Sequence, residues 1–324
     1  MRTISVVVPV YNAEATLAPL VEATLAVVGD TAEEREIILV NDGSADSSWE
    51  LICELSEKYR EVRGINLMRN FGQHNALLCG VRAARYQIIV TMDDDFQNPP
   101  EEIPKLVDAL CADHLDVIYG YPIRQQHSLG RDIASAMTKI AMQKGMGVDA
   151  ARYVSAFRAF RTELREAFSG YDNSYVSIDV LLTWGTTRFG VVRVRHEPRR
   201  AGTTGYTLGK LMTHAVNMLT GFTTWPLRIA SFVGFAFTVF GLAVLGYVVG
   251  RYFINGGSVP GFPFLASIVA LFSGATLFSL GIIGEYLARM YFRNQGRPSS
   301  VVRETTQGRA FVASAVIAEG GDKK

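Results

Sequence analysis

Cysteine is scarce. The chain holds only Cys53, Cys79 and Cys111, widely spaced and with no CxxC pair. That argues against a disulfide framework or a thiolate zinc site, and for buried thiols in a reducing compartment. An excess of one charge is also lacking. The 32 basic and 31 acidic residues leave a formal net charge of +1, so no bulk field recruits nucleic acid. His74, His114, His127, His196 and His214 show no metal-ligand spacing and read as surface or packing residues. No secretory leader is legible: the first apolar run, Ile4–Val10, is short, carries Pro9 and lacks a small-residue cleavage site. The N-terminal part is therefore expected to stay in the cytoplasm. Internal repeats and low-complexity segments are absent as well.

What is present divides into two regimes. Up to about Gly120, short Ile- and Val-rich runs alternate with amphipathic stretches. Ile4–Val8, Glu36–Val40, Val62–Leu67, Gln87–Met92 and Asp116–Gly120 read as strands of a buried, mostly parallel sheet. Glu14–Val28, Ser47–Tyr59, Gly72–Ala84 and Glu101–Ala112 read as helices, the second opened by a capping box of Ser47 and Glu50. Such alternation predicts an α/β, Rossmann-like sheet with right-handed crossovers.

From Ile229 the rules change. Ile229–Val249 and Phe262–Ile283 carry no charged residue and are apolar all round. Each is long enough to cross the hydrocarbon core, which takes about 20 residues. The alternative is two buried core helices, but both runs lack the polar stripe that a soluble helix shows. Arg193, Arg195, Arg199, Arg200, Lys210 and Arg228 precede the first run, and Arg289, Arg293 and Arg297 follow the second. The connecting loop has Arg251 alone, so the positive-inside rule predicts both termini in the cytoplasm. Gly209–Thr224 mixes apolar and polar residues, and reads either as an interfacial helix or as an ordinary surface helix. The expected organisation is thus a soluble domain over 1–208, a juxtamembrane segment over 209–228, spans over 229–249 and 262–283, and a tail over 284–324. Beyond Glu304 the tail has no apolar period and is expected to be poorly ordered.

Ligands of open parallel sheets bind beyond the carboxyl ends of the strands, and the informative polar residues sit there. The first strand runs into Pro9, Tyr11, Asn12 and Glu14, and the second into Asn41-Asp42-Gly43. The fourth runs into Asp93-Asp94-Asp95, followed by Gln97. Three successive carboxylates repel one another by several kcal/mol when held close, at about 4 kcal/mol per contact pair near a surface. A divalent cation bridging to diphosphate oxygens removes that cost. If the chain stays extended, Asp93, Asp95 and Gln97 face one side. The cluster also reads as a solvated acidic turn, and Asn41-Asp42-Gly43 as a plain turn rather than a base-binding site. Arg124 and Arg131 fit phosphate oxygens bidentately, and also read as solubilising surface arginines.

Several stretches are specific in combination: SVVVPVYNAEATL, ILVNDGSADSSW, LMRNFGQHNALLCGVRAA, TMDDDFQNPPEEIPKLV, SAFRAF, PRRAGTTGYTLGKL and GIIGEYLARMYFRNQGRPSSVV. Over Ser5 to about Val302 the sequence resembles the family-2 glycosyltransferases of the polyprenyl-phosphate type, which include dolichol-phosphate mannose synthase and bacterial glucosyl- and aminoarabinosyl-transferring relatives. The resemblance implies a GT-A catalytic domain followed by a two-helix transmembrane hairpin. It implies transfer of a sugar, with inversion, from a nucleotide diphosphate-sugar to undecaprenyl or dolichyl phosphate at the cytoplasmic face of the cell (inner) membrane.

Carried over by residue, Pro9, Tyr11, Glu14 and Asp42 would contact the nucleoside. Asp93, Asp95 and Gln97, with Asp94 beside them, would hold Mg2+ or Mn2+ and the diphosphate. Arg124 and Arg131 would hold phosphates. Arg199 and the stretch with Thr204 and Tyr206 would order over the donor or acceptor phosphate, and Arg158 would lie in the active site. Homo-oligomers are compatible with the resemblance. One departure stands out: many members carry an acidic residue before the FR of SAFRAF, where this chain has Ala156. A phosphate acceptor is already anionic and needs little deprotonation, so positioning and desolvation could supply much of the rate.

Three rivals stand beside this reading. A processive polysaccharide synthase would show a Gln-x-x-Arg-Trp signature and more spans. A non-catalytic scaffold or flippase partner would have no reason to keep repelling carboxylates. A soluble transferase acting on a hydroxyl would lack the apolar pair.

Overall fold

The computed structural model describes residues 2–112, 114–122, 153–172, 176–197, 225–255 and 261–307. The chain divides into two compact units. One combines Met1–Thr207 with Gly296–Lys324, and the other is Leu208–Gln295.

The first unit is built on strands β1 (Thr3–Val10), β2 (Glu34–Asn41), β3 (Val62–Leu67), β4 (Ile88–Thr91), β5 (Val117–Pro122), β6 (Arg158–Arg161), β7 (Phe189–Val194) and β8 (Val302–Thr305). Among the described residues these form one sheet in the order β7-β5-β6-β4-β1-β2-β3-β8. Strands β4, β1, β2 and β3 run parallel, as do β5 and β7, while β6 and β8 are inserted antiparallel. The centre is parallel because β1 and β2 are apolar on both faces and are covered on both. Val6 and Val8 join one core cluster with Leu17, Ile52 and Leu106. Val7, pointing the other way, joins a second with Leu77 and Leu181. Helices α1 (Glu14–Thr31), α2 (Ser48–Lys58) and α4 (Ile103–Ala112) supply the first layer. Helices α3 (Gln73–Ala83) and α5 (Ile178–Gly185) supply the second.

The first five strands and four helices match the sequence pattern to within a few residues. One local expectation is corrected. Ser47 precedes α2 but makes no side-chain cap. Asp46 does this instead: its Oδ1 accepts the Ser48 N–H at 3.2 Å and the Ser48 hydroxyl at 2.6 Å. A carboxylate one residue earlier thus takes a first-turn amide, that of Ser48, which the capping box would not have reached, and the Ser47 N–H goes to Glu14.

Two buried carboxylates of this unit, Glu36 and Asp116, are paired with guanidinium groups. Glu36 accepts Ser5 Oγ at 2.7 Å, Arg85 N at 2.8 Å and Arg63 Nη1 at 2.5 Å, which ties the starts of β1, β2 and β3 to the α3–β4 turn. At the far edge Asp116 is buried. Burial raises its pKa, but the Thr186 hydroxyl and the Arg188 and Arg161 guanidinium groups outweigh it and hold the carboxyl below its ordinary value. A depressed folded-state pKa contributes stability that is present above the unfolded value, near pH 4, and is lost as pH falls through the folded one. Asp116→Asn should therefore cost stability at pH 7 and progressively less below about pH 4. Thermal melts across that range check this, and a gap independent of pH would contradict it.

The second unit consists of helices α6 (Trp225–Asn255) and α7 (Phe262–Asn294). They contain apolar segments Leu227–Arg251 and Leu271–Ala288, with mean hydropathy 2.2 and 1.4. Phe232, Phe235, Leu242, Phe253, Ile254 and Leu277 are all more than 60% exposed. That exposure does not fit core helices of a soluble domain and suits a lipid environment. The two helices touch through Phe272, whose ring meets Phe237 at 5.8 Å and Phe240 at 6.4 Å. In sequence the pair lies between β7 and β8 of the sheet.

Candidate active site

Strands β4, β1 and β2 are adjacent and parallel, so their carboxyl ends open side by side. The loops that follow carry Tyr11–Glu14, Asp42–Ser47 and Asp93–Gln97. Pro9 is buried within β1 opposite Val40, whereas Tyr11 is 52% exposed at the mouth. Asn12 takes a positive φ of 52°, in the region where Asn is among the tolerated residues. The first two loops are laced together. Asn12 N donates to Ser44 Oγ at 3.0 Å, Ala45 N to Asn12 Oδ1 at 2.8 Å, Ala13 N to Ser48 Oγ at 3.0 Å and Glu14 N to Asp46 Oδ2 at 3.2 Å. Exposed Glu14 begins α1, and its carboxylate accepts a long bond from Ser47 N at 3.4 Å.

Asp42 is 3% exposed. Its Oδ1 accepts Phe71 N at 2.7 Å and its Oδ2 accepts Gly72 N at 2.9 Å. Desolvation is the larger influence and leaves the carboxyl above its ordinary pKa, although both amides and Arg69 pull it down. Asp42 thus clamps the loop leading into α3, a role its place in the motif did not disclose. Gly43 lies against the same loop with φ +66°, and a Cβ there would fall 2.5 Å from Asn70 N and 2.6 Å from the Arg69 carbonyl carbon. Gly43→Ala should therefore force the 69–72 backbone outward, at a fold cost of at least about 1 kcal/mol from the φ alone. Unfolding titrations check it, and an unchanged stability would contradict it.

The aspartate run follows β4. Asp93 Oδ1 accepts Gln73 Nε2 at 2.5 Å, Asp94 Oδ2 accepts Tyr11 N at 3.2 Å, and Asp95 Oδ1 accepts Gln97 N at 3.1 Å. The backbone turns here rather than staying extended, and Phe96 adopts φ +59°. Strand alternation consequently does not describe Asp93, Asp95 and Gln97: a turn stabilised by the Asp95 carboxylate gathers them within five residues. Asp95 is 8% exposed, and Asp93 and Asp94 are half-buried. The carbonyl of Gln97 accepts Glu197 N at 2.9 Å, which brings the segment after β7 alongside the acidic turn. Gln73 was quoted in a motif but given no role by sequence reasoning. The pairing of Asp93 with it depends on α3 beginning opposite the end of β4.

Arg158, in β6, is 1% exposed. Its Nε donates to Thr91 Oγ1 at 3.0 Å, and its Nη1 is hydrogen-bonded to Asp179, whose Oδ1 also accepts the Tyr119 hydroxyl at 3.1 Å. The guanidinium is thus engaged beneath the last residue of β4. Thr91 Oγ1 donates in turn to the carbonyl of Ala156 at 2.7 Å. Arg124, Arg131, Arg199, Thr204 and Tyr206 lie outside the described residues.

The family model for glycosyl transferase family 2 matches residues 5–168. An undecaprenyl-phosphate 4-deoxy-4-formamido-L-arabinose transferase of Pectobacterium carotovorum is 34% identical over 94% of both chains. A protein of the same description from Pseudomonas aeruginosa is 35% identical over 93% of this chain and 91% of its own. The chain belongs to glycosyl transferase family 2. Glucosyl-3-phosphoglycerate synthase from Mycobacterium tuberculosis, solved with Mn2+, UDP-glucose and phosphoglyceric acid, aligns at a TM-score of 0.50 with 21% identity, over 68% of this chain and 79% of that one. This likeness is one of fold. The family-2 domain here is accordingly of the GT-A type, mostly parallel and N-terminal to the two apolar helices.

Proposed function

We propose that this family-2 glycosyltransferase moves a sugar from a nucleotide diphosphate-sugar onto a polyprenyl phosphate, with inversion, at the cytoplasmic face of a membrane. The carrying observation is the place of the acidic turn. It stands at the carboxyl end of β4, hydrogen-bonded to the β1 loop, in a chain whose other unit is a pair of exposed apolar helices. Relatives matched over nearly their whole length are named for transfer involving undecaprenyl phosphate, which agrees with that pairing. None of the features above favours a processive synthase or a non-catalytic scaffold.

Tyr11, Glu14 and the Asp42 loop would receive the nucleoside. Asp93 and Asp95, with Gln97, would hold Mg2+ or Mn2+. Their fit is chemical: the donors are hard oxygens. Among the described residues no group of three or more His, Cys, Asp or Glu closes a protein-only cage, so the remaining ligands would be diphosphate oxygens and water, as is usual for Mg2+. When bound, the cation neutralises charge on the departing diphosphate. Arg124, Arg131 and Arg199 would hold phosphate groups, and Thr204 and Tyr206 would lie over them. The anionic acceptor oxygen would attack the anomeric carbon through an oxocarbenium-like transition state. It needs no base at Ala156.

Both ends of the helix pair return to one folded unit, so a membrane-crossing pair would have to cross an even number of times. The basic residues flanking the pair support a cytoplasmic placement of both its ends. Membranes containing the protein, given undecaprenyl phosphate and a panel of labelled UDP-, GDP- and dTDP-sugars, should yield label extractable into organic solvent. Label released only as free sugar, or none from any donor, would overturn the reading.

A further inference from the structure

Strand β8 follows the apolar helices, yet it pairs with β3 at the edge of the sheet. In register across β1, β2, β3 and β8 lie Val10, Asn41, Asn66 and Glu304. This row is the last one before the loops that carry Tyr11 and Asp42. Its three polar side chains form a continuous relay. Asn66 Nδ2 donates to Glu304 Oε1 at 2.9 Å, Asn41 Nδ2 donates to Asn66 Oδ1 at 2.9 Å, and Asn41 Oδ1 accepts Ser44 N at 3.3 Å. Asn41 and Asn66 are buried, at 3% and 6% exposure. Their amides are thus oriented by their partners, and the acceptor that terminates the chain belongs to β8.

Arg303 of this strand and Val301 just before it hold the next loop. Met68 N donates to the Val301 carbonyl at 2.9 Å, and Arg303 Nη2 donates to the Met68 carbonyl at 3.1 Å. Three residues on, Phe71 N and Gly72 N reach Asp42.

We infer that β8 is a wall of the donor pocket, and that Glu304 is a positioning residue acting through Asn66 and Asn41 on the Asp42–Ser44 loop. The inference rests on the proposed donor site. It makes donor binding depend on a segment beyond the apolar helices, so a soluble domain cut before them would lack one side of its nucleotide site. Glu304→Ala removes the terminal acceptor. Asn66 can then rotate its amide, which strips Asn41 of its partner. Glu304→Gln keeps a carbonyl oxygen at that place and should preserve the relay.

The test is calorimetric titration of the full chain in detergent with UDP, GDP and dTDP in the presence of Mn2+. Glu304→Ala should weaken binding of whichever diphosphate the unaltered protein takes by about tenfold, a ~1.4 kcal/mol loss. Glu304→Gln should bind as the unaltered protein does, and the KM for polyprenyl phosphate should not move. Equal binding by all three proteins would overturn the inference. So would equal weakening in both variants accompanied by a common drop in Tm, because that marks a merely structural strand. If the unaltered protein takes none of the three diphosphates, the donor-site reading itself falls.

Discussion

Asp95→Ala is expected to lower sugar transfer about a thousandfold, equivalent to roughly 4 kcal/mol of transition-state stabilisation. Asp95 is the most enclosed of the three carboxylates, and its Oδ1 fixes the turn through Gln97 N. On the proposed reading, losing it removes a cation ligand together with the device that shapes the turn. Asp95→Asn separates the two: it can keep the acceptor for Gln97 N but lacks the charge, so it should recover folding and not rate. Asp93→Ala should act similarly, because its carboxylate is oriented by Gln73 from α3. Asp94 binds Tyr11 N, so its removal should disturb the β1 loop and chiefly raise the donor KM. Near-normal turnover by Asp95→Ala, in protein shown to be folded and membrane-inserted, would contradict the assignment.

Asp179→Ala should produce the largest loss of stability, about 3–5 kcal/mol, because it leaves a guanidinium buried without its counter-charge. The Arg158 and Asp179 side chains are 2% and 5% exposed. Burial raises the Tyr119 phenol well above its ordinary pKa, so it stays a neutral donor to Asp179 and cannot replace the lost charge. The double variant Arg158→Met/Asp179→Leu removes both ions and should recover much of the loss, since buried pairs exchanged for apolar groups are often near neutral. Denaturant unfolding of the full chain in detergent checks both variants. A single-variant cost below about 1 kcal/mol, the value of an exposed pair, would show that the pair is hydrated.

The central strands were legible because Ile and Val runs buried on both faces leave little choice of conformation. The same holds for the helices between them and for the apolar pair, where composition alone sets the environment. Other elements were hidden for identifiable reasons. Strand β6 reads Arg-Ala-Phe-Arg, and its first arginine is buried only because Asp179 arrives from a distant helix. Strand β8 reads Val-Arg-Glu-Thr. It is a polar edge strand of the kind that edges favour, without the alternation that announces a half-buried one. Within the site, the motif residues at the strand ends were visible as candidates, but their partners were not. That Asp42 spends two acceptors on Phe71 and Gly72, or that Gln73 meets Asp93, depends on where α3 begins in space. Asp93 and Asp95 were legible as a pair of carboxylates, while the positive φ at Phe96 that bends the chain between them and Gln97 was not.

The account turns on whether the acidic turn receives a diphosphate together with a divalent cation. Titrating the purified full-length protein with nucleoside diphosphates, with and without Mn2+, tests this most directly, alongside Asp93→Asn and Asp95→Asn. Tight binding that requires the cation and disappears in both variants is the predicted result. Binding indifferent to the cation and to both substitutions would contradict it.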